Sequence, residues 1–344
     1  MPNVYLFGAG ASCAYVPLPP GSVNLDGFIN RFFLDADFFD FVDSMWQGFC
    51  RGGQTLPEHY DGADWSWLEL EQLLIDTCGP GFRALGMERT YSEIWQLGVP
   101  QELHYLRCIE LTLFWQLRGV AAANLGTHVE FVNRLVRPGD SLVTFNYDPF
   151  LEHALMLGAS VPGSELSWHE RDGYGLPLES VESQPQHVEA AASNVRVLKL
   201  HGSIDWLHGV GQRPSPPFRP LRAFGRTIRG QGFRVYRHAG LPLRPVIVPP
   251  LPEKDYEQLG LADVWRLAEE ALVAADSLTV VGYSFPSTDA QSIKLLERVA
   301  ASHGGKLPAT FVTLKADAAF ERFRKVFPDA RLVEGGFSVL AGGK

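Results

Sequence analysis

The segment Asn3-Val-Tyr-Leu-Phe-Gly-Ala-Gly-Ala-Ser12 decides the fold. Its first five residues form a short apolar run that predicts a strand, and a glycine turn follows directly. The sequence from Ala11 onward predicts a helix with Ser12 in its first turn. A strand that passes through a glycine turn into a helix is typical of the first unit of a doubly wound α/β sheet, in which ligands bind at the carboxyl ends of the strands.

This glycine turn has a chemical and a structural interpretation. In the first, Gly8 and Gly10 allow close backbone approach, and the helix N-terminus presents unpaired N–H groups to a pyrophosphate. In the second, it is only a tight junction between a strand and a helix. The turn is not the complete G-x-G-x-x-G fingerprint, because Cys13 stands at the third glycine position.

A second loop, Thr144-Phe-Asn-Tyr-Asp148, follows a strand predicted over residues 141–145. We expect the side chain of Asn146 to point out from the carboxyl edge of the sheet. A competing interpretation is that Asn146 or Asp148 caps a helix predicted over residues 149–157.

A third loop lies in Lys199-Leu-His-Gly-Ser-Ile-Asp-Trp206, after a strand predicted over residues 195–200. His201 at a strand end is a candidate general base, because the ordinary pKa of histidine is near neutrality. The alternative is a hydrogen-bonded histidine without a chemical role.

A fourth loop, Gly282-Tyr-Ser284, follows a strand predicted over residues 278–281. A helix is predicted over residues 288–299, with Ser287 or Thr288 as its N-cap and Gln291 closing a capping box on Thr288.

The alternation of strands and helices from residue 141 predicts a doubly wound, mostly parallel, Rossmann-like α/β sheet. We assign residues 1–19 and 137–344 to this domain. Residues 20–136 are interpreted as a helical insertion.

Residues 206–245 are interpreted as an arginine-rich excursion within the Rossmann-like domain. The stretch 206–252 contains no Asp or Glu, and it holds eight arginines: Arg213, Arg219, Arg222, Arg226, Arg229, Arg234, Arg237 and Arg244. The favoured interpretation is a solvated loop whose arginines pair with acidic neighbours or another subunit. A docking surface for a phosphate-bearing ligand, a nucleic acid or an acidic partner is the alternative.

Composition limits the class of protein. The chain has 344 residues and a net charge of −9, which argues against nucleic-acid binding by the whole surface. Its four cysteines form no Cys-x-x-Cys pair, so we expect no metal site. The N-terminus lacks a basic region typical of a signal peptide, and the apolar runs are too short to cross a membrane. We therefore expect a cytoplasmic protein.

Taken in order, the Gly8-Ala-Gly-Ala-Ser12, Thr144-Phe-Asn-Tyr-Asp148 and His201-Gly-Ser203 segments resemble the Sir2 (sirtuin) superfamily. The chain is most similar to the bacterial Sir2-like branch that hydrolyses NAD, because it lacks the zinc ribbon of the deacylases. The family has an Asn after the penultimate strand, whereas Thr313-Leu-Lys-Ala-Asp317 stands here, so no adenine-contacting residue is assigned.

The resemblance implies a role for each motif residue. Asn146 would position the nicotinamide ribose and the attacking water, and His201 would be the second catalytic residue. Asp148 would line the nicotinamide pocket. The remaining residues implied to contact NAD are Gly8, Ala9, Gly10, Ala11, Ser12, Ser203, Gly282 and Ser284.

The implied reaction is hydrolysis of NAD to nicotinamide and ADP-ribose, and relatives in this branch act as anti-phage effectors that deplete NAD. We expect a homo-oligomer or a separately encoded sensor or activator as partner. The alternatives are an NAD-dependent deacylase or ADP-ribosyltransferase, and a non-catalytic sensor of NAD or ADP-ribose.

Overall fold

The computed structural model describes residues 2–12, 14, 125–179, 192–209, 215–220, 237–238, 241–248, 256–257, 260–285, 289–316 and 318–342. The predicted helical insertion over residues 20–136 lies outside this part of the chain up to residue 124. All four cysteines also lie outside it.

The strands are β1 Asn3–Phe7, β2 Ser141–Thr144, β3 Arg196–Lys199, β4 Gly202–Gly209, β5 Arg219–Pro220, β6 Arg237–His238, β7 Leu241–Ile247, β8 Ser277–Val281, β9 Ala309–Thr313 and β10 Arg331–Glu334. The helices are α1 Ala9–Ser12, α2 Gly126–Leu135, α3 Phe150–Ala159, α4 Ala262–Val273, α5 Ala290–Ser302, α6 Ala318–Val326 and α7 Gly336–Ala341.

Six strands form a parallel sheet in the order β10-β9-β8-β1-β2-β3. The predicted doubly wound, mostly parallel α/β fold is therefore confirmed. Strand β1 lies in the interior of the sheet, and residues 4–7 are buried, as expected of a strand covered on both faces. The order of the strands reverses between β1 and β8, which is where open α/β sheets bind ligands.

Aromatic packing joins the sheet to helices on one face. Tyr5 and Phe7 contact the ring of Phe131 on α2, with centroid distances of 5.0 and 5.5 Å, and Phe7 also contacts Phe337 on α7. Because successive side chains of a strand alternate, Val4 and Leu6 point to the opposite face. Helix α4 packs against β2 and β3.

A second sheet occupies part of the segment that we interpreted as a solvated loop. Strands β4, β5, β6 and β7 form an antiparallel sheet in the order β5-β4-β7-β6. The interpretation of residues 206–245 as a loop is therefore wrong where these residues form strands of this sheet. Gly202 begins β4 with φ +80°, and a Cβ there would overlap the carbonyl oxygen of Val246 on β7.

The start of helix α5 also differs from the sequence-based expectation. The helix begins at Ala290, and its N-cap is Asp289, which makes no side-chain capping hydrogen bond. The helix therefore begins two residues later than predicted, and the predicted N-caps Ser287 and Thr288 lie outside the described residues. The carboxylate of Asp289 makes the contacts described below.

Candidate functional site

Four loops meet at the carboxyl edge of the parallel sheet. They follow β1, β2, β3 and β8, and they contain Gly8, Asn146, His201 and Gly282 respectively. Because these strands are neighbours in the sheet and run in one direction, their loops lie side by side. The structure therefore brings the four sequence motifs to one edge.

The glycine turn after β1 interlocks with the loop after β8. A Cβ at Gly8 would lie 2.6 Å from the Cα of Tyr283, and a Cβ at Gly10 would lie 2.9 Å from the Cα of Gly282. Gly10 N donates to Gly282 O at 2.8 Å, and Ala11 N donates to Gly8 O at 3.0 Å. The expectation that the amides of this turn are unpaired is therefore wrong for these two N–H groups. The glycines are required by the close approach of two backbones.

The side chain of Asn146 is bound to this turn. Its Nδ2 donates to Gly8 O at 3.0 Å and to Ser12 Oγ at 2.8 Å, and the residue is 7% exposed. A backbone carbonyl can only accept, so the atom facing Gly8 must be the nitrogen of the amide. Both Nδ2 hydrogens are thereby used, and among the described residues no donor binds Oδ1. The oxygen of Asn146 is the atom left to accept a hydrogen bond from a ligand or water.

Asp148 continues this network beneath the turn. Its Oδ2 accepts from Ser12 Oγ at 2.6 Å, and its Oδ1 accepts from Phe150 N at 3.1 Å. Asp148 thus binds the first amide of helix α3, although the N-cap position itself is Pro149, and Asn146 makes no such contact. Both carboxylate oxygens of Asp148 are bound by protein groups. Burial raises the pKa of Asp148, and the positive charge of Lys199 opposes that rise.

A buried ion pair lies next to Asp148. Lys199 Nζ lies 2.8 Å from Glu152 Oε1, and the two side chains are 0% and 2% exposed. The same Nζ donates to the backbone oxygen of Asp148. Tyr174 OH donates to Glu152 Oε1 at 3.3 Å. Burial raises the pKa of Glu152, and Lys199 opposes this effect as well.

His201 lies in a buried aromatic and acidic environment. Its Nε2 is 3.2 Å from Tyr256 OH and 3.5 Å from Asp289 Oδ1. The imidazole is stacked on the ring of Tyr256, with centroids 6.1 Å apart. Asp289 also accepts a hydrogen bond from Tyr283 OH at 3.1 Å. Burial and the nearby Asp289 raise the pKa values of Tyr256 and Tyr283 well above 10, so both remain neutral donors.

A stacked aromatic pair connects the surroundings of Asn146 and His201. The rings of Phe145 and Tyr283 are 4.5 Å apart with an interplanar angle of 17°, and Phe145 also contacts the His201 ring at 5.0 Å. Phe145 directly precedes Asn146, and Tyr283 lies against Gly8. The amide and the imidazole therefore flank one aromatic pair at the sheet edge.

Two further residues implied to contact NAD differ in exposure. Ser203 lies within β4 and is fully buried, and its Oγ accepts from Asp205 N at 3.2 Å. Ser284 is exposed, and its backbone oxygen accepts from Arg322 on α6 at 2.6 Å. Ser284 is therefore accessible from solvent, whereas Ser203 is not.

Sequence reasoning missed four residues of this region: Lys199, Glu152, Tyr256 and Asp289. Lys199 and Glu152 carried a signal, since a lysine within an apolar strand and a glutamate on the apolar side of a helix must pair if buried. Tyr256 and Asp289 had no comparable signal, because their contacts depend on how distant loops fold.

Other parts of the molecule limit the possible sites. Within the described ranges, no cluster of His, Cys, Asp and Glu is arranged to hold a metal ion. No helix in those ranges is both long and apolar enough to span a membrane. A cavity of about 360 Å³ lies at the opposite, amino edge of the sheet, where Pro2, Asp140 and Arg196 are among its lining residues.

One comparison with known proteins gave a match. The family model described as "SIR2-like domain" matches residues 140–332, which extend from the start of β2 into β10. No curated protein matches the chain. The glycine turn lies before the matched range, yet the pairing of β1 with both β2 and β8 makes it part of the same sheet.

Proposed function

The chain belongs to the SIR2-like domain family, and from this premise we propose that it is an NAD hydrolase. The reaction would break the bond between nicotinamide and ribose and give nicotinamide and ADP-ribose. The observation that carries the proposal is the binding of Asn146 Nδ2 to both Gly8 O and Ser12 Oγ. It fixes the amide so that its oxygen is available at the edge of the sheet.

The arrangement suggests a role for each residue in the proposed reaction. When the glycosidic bond breaks, its electron pair goes to the nicotinamide nitrogen and positive charge develops on the ribose. Asn146 Oδ1 would accept a hydrogen bond from the attacking water and orient it toward this centre. His201 would take the proton that the water loses, and the carboxylate of Asp289 would stabilise the resulting imidazolium.

Water is the proposed acceptor of the ADP-ribosyl group, and the competing transfer activities use other acceptors. A deacylase would require an acylated peptide before nicotinamide is released, and an ADP-ribosyltransferase would require an acceptor protein. A sensor would bind NAD or ADP-ribose without turnover. Incubating the wild-type protein with NAD alone, and then with NAD and each of these acceptors, distinguishes the hydrolase from these competing activities.

The variants Asn146→Ala and His201→Ala test the site itself. Each should retain the fold and lower the rate of nicotinamide release by about 100-fold or more, because general acid–base and orienting groups contribute factors of this size. Asn133→Ala and His169→Ala remove the same side-chain types at other positions and serve as matched controls. Nicotinamide is measured by chromatography, and folding by circular dichroism.

Full activity in either site variant would contradict the proposed roles. Equal loss in the control variants would show that the effect is not specific to the site.

The biological role is a further part of the proposal. We propose that the chain is an NAD-depleting effector of bacterial anti-phage defence, activated by self-assembly or by a separate partner. Its support is the resemblance of the three motifs to the bacterial NAD-hydrolysing branch. A purified chain whose activity is complete and independent of concentration and of proteins encoded nearby would contradict the activation step.

A further inference from the structure

A buried cation lies directly behind the proposed site and has no role in the reaction outlined above. Lys199 is fully buried at the end of β3, immediately before Leu200 and His201. Removing an ammonium from water costs several kcal/mol, so such a group persists only with good partners. Here its partners are the carboxylate of Glu152 and the backbone oxygen of Asp148.

A purely structural role for Lys199 would explain its contact with Glu152 but not its contact with Asp148. The bond between Lys199 and Glu152 ties β3 to helix α3. An apolar pair of similar volume commonly serves that purpose equally well. The bond from Lys199 to Asp148 O is different, because it holds the main chain of the loop that carries Asn146.

This second contact begins a continuous series of hydrogen bonds. Lys199 binds the main chain of Asp148, and the carboxylate of Asp148 accepts from Ser12 at 2.6 Å. Ser12 Oγ accepts from Asn146 Nδ2 at 2.8 Å, and the same nitrogen donates to Gly8 O at 3.0 Å. The hydroxyl of Ser12 has one hydrogen. When it donates to Asp148, its oxygen must accept from Asn146, which sets the direction of the amide.

We propose that Lys199 is a positioning residue, which holds Asp148 in place and thereby fixes the orientation of the Asn146 amide. The catalytic consequence rests on the proposed NAD hydrolysis, whereas the positioning itself does not. Lys199 contacts neither the amide nor the glycine turn, so it acts only through Asp148 and Ser12. Its positive charge also favours the ionised form of Asp148, which is the form that can only accept from Ser12.

Three variants separate positioning from stability. Lys199→Met removes both bonds and leaves Glu152 buried without its partner, so it should lower stability and activity together. Glu152→Gln also breaks the charge pair and should lose stability, but it leaves Lys199 able to donate to Asp148 O, which makes it the matched control. The double variant Lys199→Met with Glu152→Leu replaces the ion pair by an apolar pair and should restore most of the lost stability.

The expected kinetic pattern follows from these differences. In the double variant, kcat for nicotinamide release should stay about tenfold or more below the wild type, with KM for NAD changed less than about threefold. In Glu152→Gln, kcat should stay within about threefold of the wild type. Recovery of kcat together with stability in the double variant, or an equal loss of kcat in Glu152→Gln, would overturn the proposal.

A measurement without NAD keeps this test independent of the proposed function. In the wild type and in Glu152→Gln, the two Nδ2 hydrogens of Asn146 should exchange slowly with solvent, because both are hydrogen-bonded and buried. Side-chain amide NMR, assigned by the loss of the signal in Asn146→Ala, should show faster exchange in the double variant. Unchanged exchange would overturn the positioning role, whereas a wild type that releases no nicotinamide would count against the proposed function alone.

Discussion

At the scale of single residues, the polar side chains of the site are held by hydrogen bonds to other groups of the protein. Asn146 uses both of its hydrogens on the glycine turn, and Asp148 uses both of its oxygens on Ser12 and Phe150. Groups held in this way lose little freedom when a ligand binds. The chemistry is therefore limited to the atoms that remain available, of which Asn146 Oδ1 is the clearest.

Asp289 gives a prediction at this scale. Asp289→Asn removes the negative charge near His201 Nε2, so the imidazolium that the proposed reaction forms would lose its stabilisation. We expect kcat for nicotinamide release to fall by about tenfold or more, equivalent to about 1.4 kcal/mol, with NAD affinity nearly unchanged. Ser292→Ala is the control, because it removes the contacts to the backbone of Asp289 and to Tyr283 OH and leaves the carboxylate. A wild-type kcat in Asp289→Asn would refute this role.

Among the secondary-structure elements, helix α2 carries a buried histidine. His128 packs edge-on against Phe150 and Phe337, and its Nδ1 has no hydrogen-bond partner among the described residues. Burial lowers the pKa of His128 from 6.5 to about 3. The folded protein thus holds this side chain neutral, as a ring among aromatic rings.

The stability of the protein should therefore depend on pH through His128. Because its folded-state pKa is lowered, the contribution is fully present above pH 6.5 and is lost as the pH falls toward 3. Between pH 7 and pH 5, this one group should remove about 2 kcal/mol from the free energy of unfolding. The variant His128→Phe should lose about that much less over the same interval, as measured by urea unfolding. Identical pH dependence in both proteins would show that His128 is accessible to protons in the folded state.

Elements with apolar runs were predictable, and elements defined by long-range pairing were not. Strands β1, β2, β3 and β8 were predicted to within one residue at each end because each is a short and mostly buried run. Strand β7 was not predicted because it contains Pro242 and Pro245, and proline cannot donate to a sheet. The contact of Asp289 with His201 was not predicted either, and Phe285, four residues earlier, adopts φ +53°, a conformation that its residue type does not suggest.

For the molecule as a whole, strand β1 belongs to the same sheet as the residues that match the family model. Strand β1 pairs with β2 on one side and with β8 on the other, although residues 8–140 lie between the end of β1 and the start of β2 in the sequence. Without β1, both neighbours would expose an unpaired edge inside the sheet. The site would also lose Gly8 and Ser12, the two partners of the Asn146 amide.

A shortened chain tests this dependence. A protein that starts at Leu125 keeps the whole family match but lacks β1, and we expect it to show no cooperative thermal unfolding. The physical reason is the loss of a strand whose residues Val4, Leu6 and Phe7 are at most 1% exposed. Circular dichroism melting of the short and full chains provides the measurement. A short chain that melts as sharply and at the same temperature as the full one would contradict this view of the sheet.

The position of His201 between the two sheets has a mechanical consequence. Only Leu200 and His201 separate β3 of the parallel sheet from β4 of the antiparallel one, and Val248 N, just after β7, donates to His201 O at 2.9 Å. The histidine thus lies at the junction of the two sheets. Because Ile204 N on β4 donates to Tyr147 O at 3.1 Å, the antiparallel sheet also holds the residue that follows Asn146, and a shift of that sheet would move both loops together.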